Sequence, residues 1–309
     1  MHMPRPKQTV IEYRSYELPL DFPILLLSGE RWHISDIKSG RLHFHNCLEV
    51  GVCHTDSGIM EFYGAPRRFA AGDVTCIARN VPHTTYSSPG EASLWTYLFF
   101  NPQELLRSYF QNMLPGGGLY ADMLQDCNMI LPSREYPEIH QLALHIIREM
   151  EQKPMNFQVS VRGLCLAILM AFLRIYAHAG KKPDEKKSGD TLPIAPALDY
   201  IRANYMNDFP VEHLSDLCHL SPTHFRRTFH SIMEMSPLKF LHTTRIMESC
   251  TLLRSTEDSI AAISEQVGYG SVSSYNRHFT DIIGSAPNVW RRGVSPIVKP
   301  SILEYTGWF

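Results

Sequence analysis

Four side chains able to handle protons or metals stand close together in the first third of the chain. His43, His45 and Glu49 form an HxHxxxE run, and His83 closes NVPH (80–83), after FAAGDV (69–74). On one strand His43 and His45 project from the same face. Three imidazoles and a carboxylate can form a hydrogen-bonded polar cluster, line a pocket for a small polar molecule, or hold a divalent metal with open coordination positions. Trp95 and Tyr97 alternate with Phe99 on a later strand-like run, so the three share a face. Turned inward, these rings either stack on the C–H faces of a sugar or fill the core. Arg79 and Asn80, just before His83, are expected at a pocket rim.

A second chemistry-bearing set lies near the C-terminus and occurs twice. SPTHFRRTF (221–229) and SVSSYNRHF (271–279) align at an offset of 50, which pairs Arg227 with Arg277, Phe229 with Phe279 and Phe225 with Tyr275. Upstream the offset is 49, pairing Leu214 with Ile263 and Leu220 with Tyr269. A repeat of this length is one structural unit used twice. Helical spacing puts Phe225, Phe229 and Ile232 on one buried stripe, with Thr223, Arg226, Arg227 and His230 opposite. In the second copy Tyr275, Phe279 and Ile282 face in; Val272, Ser273, Asn276, Arg277 and Thr280 face out. Ser221 is the expected N-cap and Pro222 the first helical residue.

Each of these helices follows a shorter amphipathic one across a tight link, His219-Leu220-Ser221 or Gly268-Tyr269-Gly270. A short helix, a tight turn and a second helix with a small-polar and arginine face is the helix-turn-helix arrangement. Its outward side chains reach base edges or phosphates of double-stranded DNA. Residues 237–253 between the copies are predicted helical, a strut of about 24 Å that sets the two recognition helices about one DNA turn (~34 Å) apart.

The C-terminal pattern resembles the AraC/XylS family of bacterial transcription regulators over about residues 194–293. LSPTHFRRTF, MSPLKFLHTTRIMESCTLL, SIAAISEQVGYGSVSSYNRHF and GSAPNVWRR carry the resemblance. It implies a seven-helix domain in which Thr223, Arg226 and Arg227, and Val272, Ser273 and Arg277, face DNA. Ala286 departs from it, standing where the first copy has the capping Ser236, and so does apolar Val272. The N-terminal pattern resembles the cupins, small β-barrels whose two short motifs gather three imidazoles and a carboxylate; in cupin enzymes the matching residues bind a divalent metal. Regulators of this family commonly carry such a domain to sense an effector, often a sugar. The expectation is therefore a metal-free effector pocket at His43, His45, Glu49, His83, Trp95 and Tyr97, with no cofactor and no catalysis. The alternative is a metal-dependent cupin enzyme, an isomerase or oxygenase, with a helical appendage.

Several elements must position these groups. Short strand-like runs from about 24 to 100, separated by turn signals at Ser57-Gly58, Gly64-Ala65-Pro66 and Gly72-Asp73, predict a β-barrel or sandwich. Helical patterns follow at 102–113, 135–152 and 159–179, the last two expected as an antiparallel pair that packs on the barrel and forms a dimer interface. The expected fold is α+β: a cupin-like barrel (1–101), a helical dimerisation segment (102–179), a charged linker (180–191), the double helix-turn-helix domain (192–295) and a tail (296–309).

Composition bounds the rest. The 309 residues are 44% hydrophobic with net charge −2, and the seven scattered cysteines form no CxxC pair, so they are expected as reduced core residues. The apolar run 164–173 is too short to span a bilayer, and the polar start MHMPRPKQTV carries no signal peptide. These features predict a cytoplasmic protein without membrane contact; a homodimer is expected from the helical pair, and an activator with RNA polymerase as a further partner from the family resemblance, with the choice between activation and repression left open by the sequence. Residues 191–295 hold nine Lys+Arg against ten Asp+Glu, so the positive charge there is local rather than general.

Overall fold

The computed structural model describes residues 10–16, 18–19, 22–105, 128–178 and 192–293. The expected linker and tail, Cys127, and Leu106, Tyr109 and Phe110 of the 102–113 run lie outside the described residues. The chain divides into two compact units between residues 191 and 192.

The first unit is built on strands β1 (Val10–Arg14), β2 (Ile24–Leu27), β3 (His33–Ile34), β4 (Arg41–His45), β5 (Leu48–Cys53), β6 (Ser57–Phe62), β7 (Ala65–Ala70), β8 (Val74–Ile77), β9 (His83–Ser87), β10 (Ser93–Phe100) and β11 (Met129–Leu131). They form two facing sheets, ordered β1-β4-β9-β6-β7 and β11-β8-β5-β10-β2, with β3 also paired to β10. The expected barrel is corrected here, because no strand of one sheet ladders onto the other among the described residues. Residues 65–66, expected as part of a turn, begin β7; Pro66 is accommodated because β7 is a sheet edge, where a missing N–H leaves no ladder partner wanting.

Alternation on the six-stranded sheet decides which side chains meet. Leu48, Val50 and Val52 of β5, Val74 and Cys76 of β8, and Leu98 and Phe100 of β10 turn away from the other sheet. After the short helix α1 (Pro102–Leu105), the chain supplies α2 (Pro137–Gln152) and α3 (Phe157–His178), on which these residues pack. Four residues join these helices, so they run antiparallel. The opposite face of the same strands carries Glu49, Cys53, Ile77, Trp95, Tyr97 and Phe99 toward Met60, Phe62 and Phe69 of the five-stranded sheet. Gly51 keeps that face open, since a Cβ there would press on Thr75 Oγ1 and the Trp95 ring. α3 reaches well past the 164–173 apolar run; its 22 residues, with an 18-residue stretch of mean hydropathy 1.8, would suffice to cross a membrane by length and composition. Its Val161, Cys165, Ile168, Leu169 and Phe172 are instead buried in the core shared with the sheet.

The second unit holds, within described residues 192–293, seven helices: α4 (Ala195–Asn204), α5 (Val211–Leu217), α6 (Pro222–Met233), α7 (Pro237–Ser255), α8 (Ile260–Gln266), α9 (Val272–Ile283) and α10 (Pro287–Arg291). The repeat is visible in the backbone. Leu220 N–H donates to Ser215 O at 3.0 Å in the first copy and Tyr269 N–H to Ser264 O at 2.9 Å in the second. His219 and Gly268 take the same left-handed turn position (φ 52 and 88). Ser221 and Ser271 cap α6 and α9, accepting from His224 and Ser274 N–H. Ser236 caps α7, whereas Ala286 offers α10 no side-chain cap. The strut α7 has 19 residues, about 28 Å, longer than expected.

Candidate nucleic-acid interface and interior polar site

On α6 the buried stripe is Phe225, Phe229 and Met233; on α9 it is Tyr275, Phe279 and Ile283. The stripe thus runs i, i+4, i+8, and Ile232 and Ile282 are only half-buried, a correction to the expected i+7 position. The helices continue one residue past each of them, so the last inward place falls at Met233 and Ile283. The four aromatic residues are fully buried, anchoring both helices against the domain core. This leaves Thr223, Arg226, Arg227 and His230 exposed on α6, and Val272, Ser273, Asn276, Arg277 and Thr280 exposed on α9. All seven residues expected to contact DNA therefore lie on two equivalent outward faces. Arg226 Nη2 donates to Glu212 Oε1 at 3.0 Å, across to the first helix of its own copy.

Sequence reasoning missed the groups that hold these faces in place. Arg245 on α7 is 4% exposed, and its guanidinium donates to Tyr205 O at 2.6 Å, Asn207 O at 3.0 Å and Asp208 Oδ1 at 2.9 Å. It ties the segment after α4 to the strut; a lone arginine in a helical pattern gave no sign of this. His242 of α7 stacks on His278 of α9 at 4.0 Å, with the Tyr269 hydroxyl 3.2 Å from His242 Nδ1. Burial, then neighbouring His278 and Arg245, push the His242 imidazole down to about 4.

In the first unit, β4 carries His43 and His45, β5 carries Glu49 and β9 carries His83. The His43–His83 pair is the point where β4 and β9 join. Ligating atoms of His43, Glu49 and His83 all lie within 4.8 Å of one another. His45 Nε2 is 3.1 Å and His83 Nε2 3.7 Å from Glu49 Oε2. Both rings have Nδ1 on a backbone carbonyl, Cys47 O at 2.8 Å and Val81 O at 2.9 Å. A neutral imidazole so anchored turns a lone pair, not a proton, toward the carboxylate. With that tautomer, His45 Nε2 is a fully buried acceptor that no donor faces among the described residues. Burial holds His43 and His45 below their ordinary value.

Lone pairs converging on a carboxylate, with the far ring nitrogens fixed by carbonyls, are what a divalent cation requires of its ligands. The residues therefore fit a metal. They equally fit a ligand that brings N–H or O–H donors.

The strand β1, unread in the sequence, and the residues just after it add two neighbours. Arg14 lies beside His45 in the β1–β4 register and is 8% exposed, and Tyr16 stacks on Phe99 at 4.0 Å. Tyr97 reaches the site's surroundings, its hydroxyl raised by burial and then by Glu49. Trp95 does not: it is wholly buried, stacked on Tyr97 at 5.6 Å, and its Nε1–H is already donated to Ser93 Oγ at 2.9 Å. Asn80 is buried in a turn rather than placed at a rim. A cavity of about 440 Å³ lies elsewhere in this unit, lined by Ser28, His54, Thr96, Ile147, Arg148 and Glu151 among others. Its walls come from segments far apart in sequence, which no local motif marks.

Comparison with known proteins agrees with this architecture. Residues 214–293 match the family model described as a helix-turn-helix domain. An uncharacterized HTH-type transcriptional regulator of Haemophilus influenzae is 25% identical over 283 residues, covering 85% of this chain and 91% of the relative. The HTH-type transcriptional activator RhaR of Pectobacterium carotovorum is 23% identical over 252 residues, covering 81% and 86%. The MmsAB operon regulatory protein of Pseudomonas aeruginosa is 31% identical over 96 residues, 31% of each chain. All three are named as regulators. With two equivalent helix-turn-helix copies exposing arginine-bearing helices, the second unit is an AraC-type helix-turn-helix DNA-binding domain, and the chain is similar along most of its length to transcription regulators.

Proposed function

We propose that this regulator grips adjacent major grooves through Thr223, Arg226 and Arg227 of α6 and Val272, Ser273, Asn276 and Arg277 of α9. The supporting observation is that the two helices expose equivalent positions over equivalent buried stripes, with Arg227 and Arg277 at the same place in each. Phosphate contacts position such helices, and base-edge contacts specify the sequence. The output is transcriptional activation, as the printed name of the RhaR relative has it for that protein. The setting is the cytoplasm, the working form is a homodimer, and RNA polymerase is the downstream contact.

The interior site around His43, His45, Glu49 and His83 receives a small polar effector, with Tyr97 and Tyr16 beside it. Trp95 shapes the site from behind. An effector acts by binding one arrangement of the protein better than another, and that differential affinity is all it can transmit. A sugar hydroxyl suits the site because it donates where His45 Nε2 and Glu49 accept. A second reading, supported by the orphaned His45 Nε2 and the compact His43–Glu49–His83 set, is a divalent cation held at the same place.

The test pairs a gel shift on the DNA upstream of the protein's own gene with a thermal-shift screen of sugars, other metabolites and divalent ions. Retarded duplex and a ligand-dependent rise in unfolding temperature are expected. A chain that retards no duplex with or without ligand would end the groove assignment. Ligand stabilisation that survives His83→Ala would end the interior-site assignment.

A further inference from the structure

The two recognition helices are not interchangeable at one position. Aligned by the repeat, Arg226 corresponds to Asn276 and Glu212 to Ala261. The ion pair Arg226–Glu212 at 3.0 Å therefore belongs to the first copy alone, and both of its members change together in the second. The flanking places do not change in kind, since Arg227 matches Arg277 and Thr223 matches Ser273. The pair contributes little to stability, because its side chains are 53% and 58% exposed and an ion pair in water is worth little. Its effect is geometric. Glu212 is anchored at the start of α5, and its carboxylate takes one N–H of a side chain that otherwise sweeps many rotamers. The remaining guanidinium donors are left in a fixed fork on the exposed face of α6.

We propose that Glu212 is a positioning residue that sets Arg226 for a single guanine, while Asn276 reads an adenine at the equivalent place of the second copy. This rests on the DNA-contact reading above. The chemistry is complementary: a guanidinium fork donates to guanine O6 and N7, and a carboxamide both donates to and accepts from adenine N7 and N6. A carboxylate near the backbone also repels phosphates, so Glu212 lowers affinity for every sequence while it sharpens choice at one base pair. The operator is accordingly asymmetric, with a G·C pair under α6 and an A·T pair about one helical turn away under α9.

The experiment selects binding sites from a randomised duplex pool with the full-length protein, then measures affinity for the selected site and its single-base variants. Wild type is expected to require G at one position and A about 10–11 base pairs away. Arg226→Ala should lose the G preference, about 5- to 150-fold in discrimination, and Asn276→Ala the A preference. Glu212→Gln should move discrimination at the G position toward the Arg226→Ala value while affinity for unrelated duplex holds or rises. A merely structural role would weaken all duplexes alike. The double variant Glu212→Ala with Arg226→Asn, which copies the second unit, should bind best to a site carrying A at the former G position; a misfolded chain could not. The proposal is overturned if Glu212→Gln leaves every base preference unchanged, or if Arg226→Ala weakens all sequences uniformly. If Arg227→Ala and Arg277→Ala also bind as wild type does, the DNA-contact reading itself fails with it.

Discussion

His45 stands between two acceptors: its Nε2 lies 3.1 Å from Glu49 Oε2 and its Nδ1 2.8 Å from the Cys47 carbonyl oxygen. A neutral imidazole has one N–H and serves one of them; burial disfavours the charged ring that would serve both. His83 repeats the arrangement, with Val81 O behind it and Glu49 in front. The two imidazoles facing Glu49 thus leave its carboxylate short of donors, which is what the proposed effector or cation would supply.

That shortage gives the first prediction. Glu49→Gln puts a carboxamide donor opposite His45 Nε2, so it should stabilise the ligand-free protein by about 1–3 kcal/mol. It should also abolish any rise in unfolding temperature produced by zinc or nickel, as should His83→Ala. Thermal unfolding of the three proteins, with and without each ion, measures both effects. A Glu49→Gln protein less stable than wild type without ligand would contradict the account.

Arg227→Ala and Arg277→Ala should each weaken operator binding by about 1–3 kcal/mol, without lowering thermal stability, since both side chains are exposed. Fluorescence anisotropy on a fixed operator duplex measures it.

The near-neutral second unit should show a shallow salt dependence. Its positive groups are few and local, so few counterions leave DNA when it binds. A log–log slope corresponding to eight or more neutralised phosphates per protomer would contradict this, and titration from about 50 to 200 mM salt measures it.

The paired turns offer an internal comparison. Gly268 has φ 88, and a Cβ there would run into the Met206 carbonyl. Gly268→Ala should therefore cost about 2–4 kcal/mol of the second unit's stability. His219 holds the same left-handed position with a side chain (φ 52), so His219→Gly should change stability by less than about 1 kcal/mol, toward stabilisation. Urea unfolding of both variants orders them.

His242 gives a pH dependence. Its folded pKa, about 4, lies below the unfolded value, so between pH 6.5 and 4 the unfolded chain binds the extra proton. Stability of the second unit should be full above pH 6.5, fall as pH drops toward 4 and level off below. The slope is at most about 1.4 kcal/mol per pH unit, and less because the half-buried ring is screened by water. His242→Gln should flatten the profile measured by urea unfolding at stepped pH.

The sequence by itself determined the second unit. Its recurring Arg227 and Arg277, Phe229 and Phe279, and Ser221 and Ser271 are local signals, each acting within one turn or one helix, and a duplicated local pattern declares its own period. The inward faces of β5 and β10 were legible for the same reason, since alternation is written residue by residue. What only the tertiary structure decided depends on pairings between distant segments. It brought Arg14 of β1, and Tyr16 just after it, beside His45, left the two sheets unclosed among the described residues, and withdrew Trp95 behind Tyr97. It also buried Arg245 among carbonyls of another helix's end and set Glu212 against Arg226. Register and long-range packing fix such contacts, and neither leaves a periodic trace in the chain.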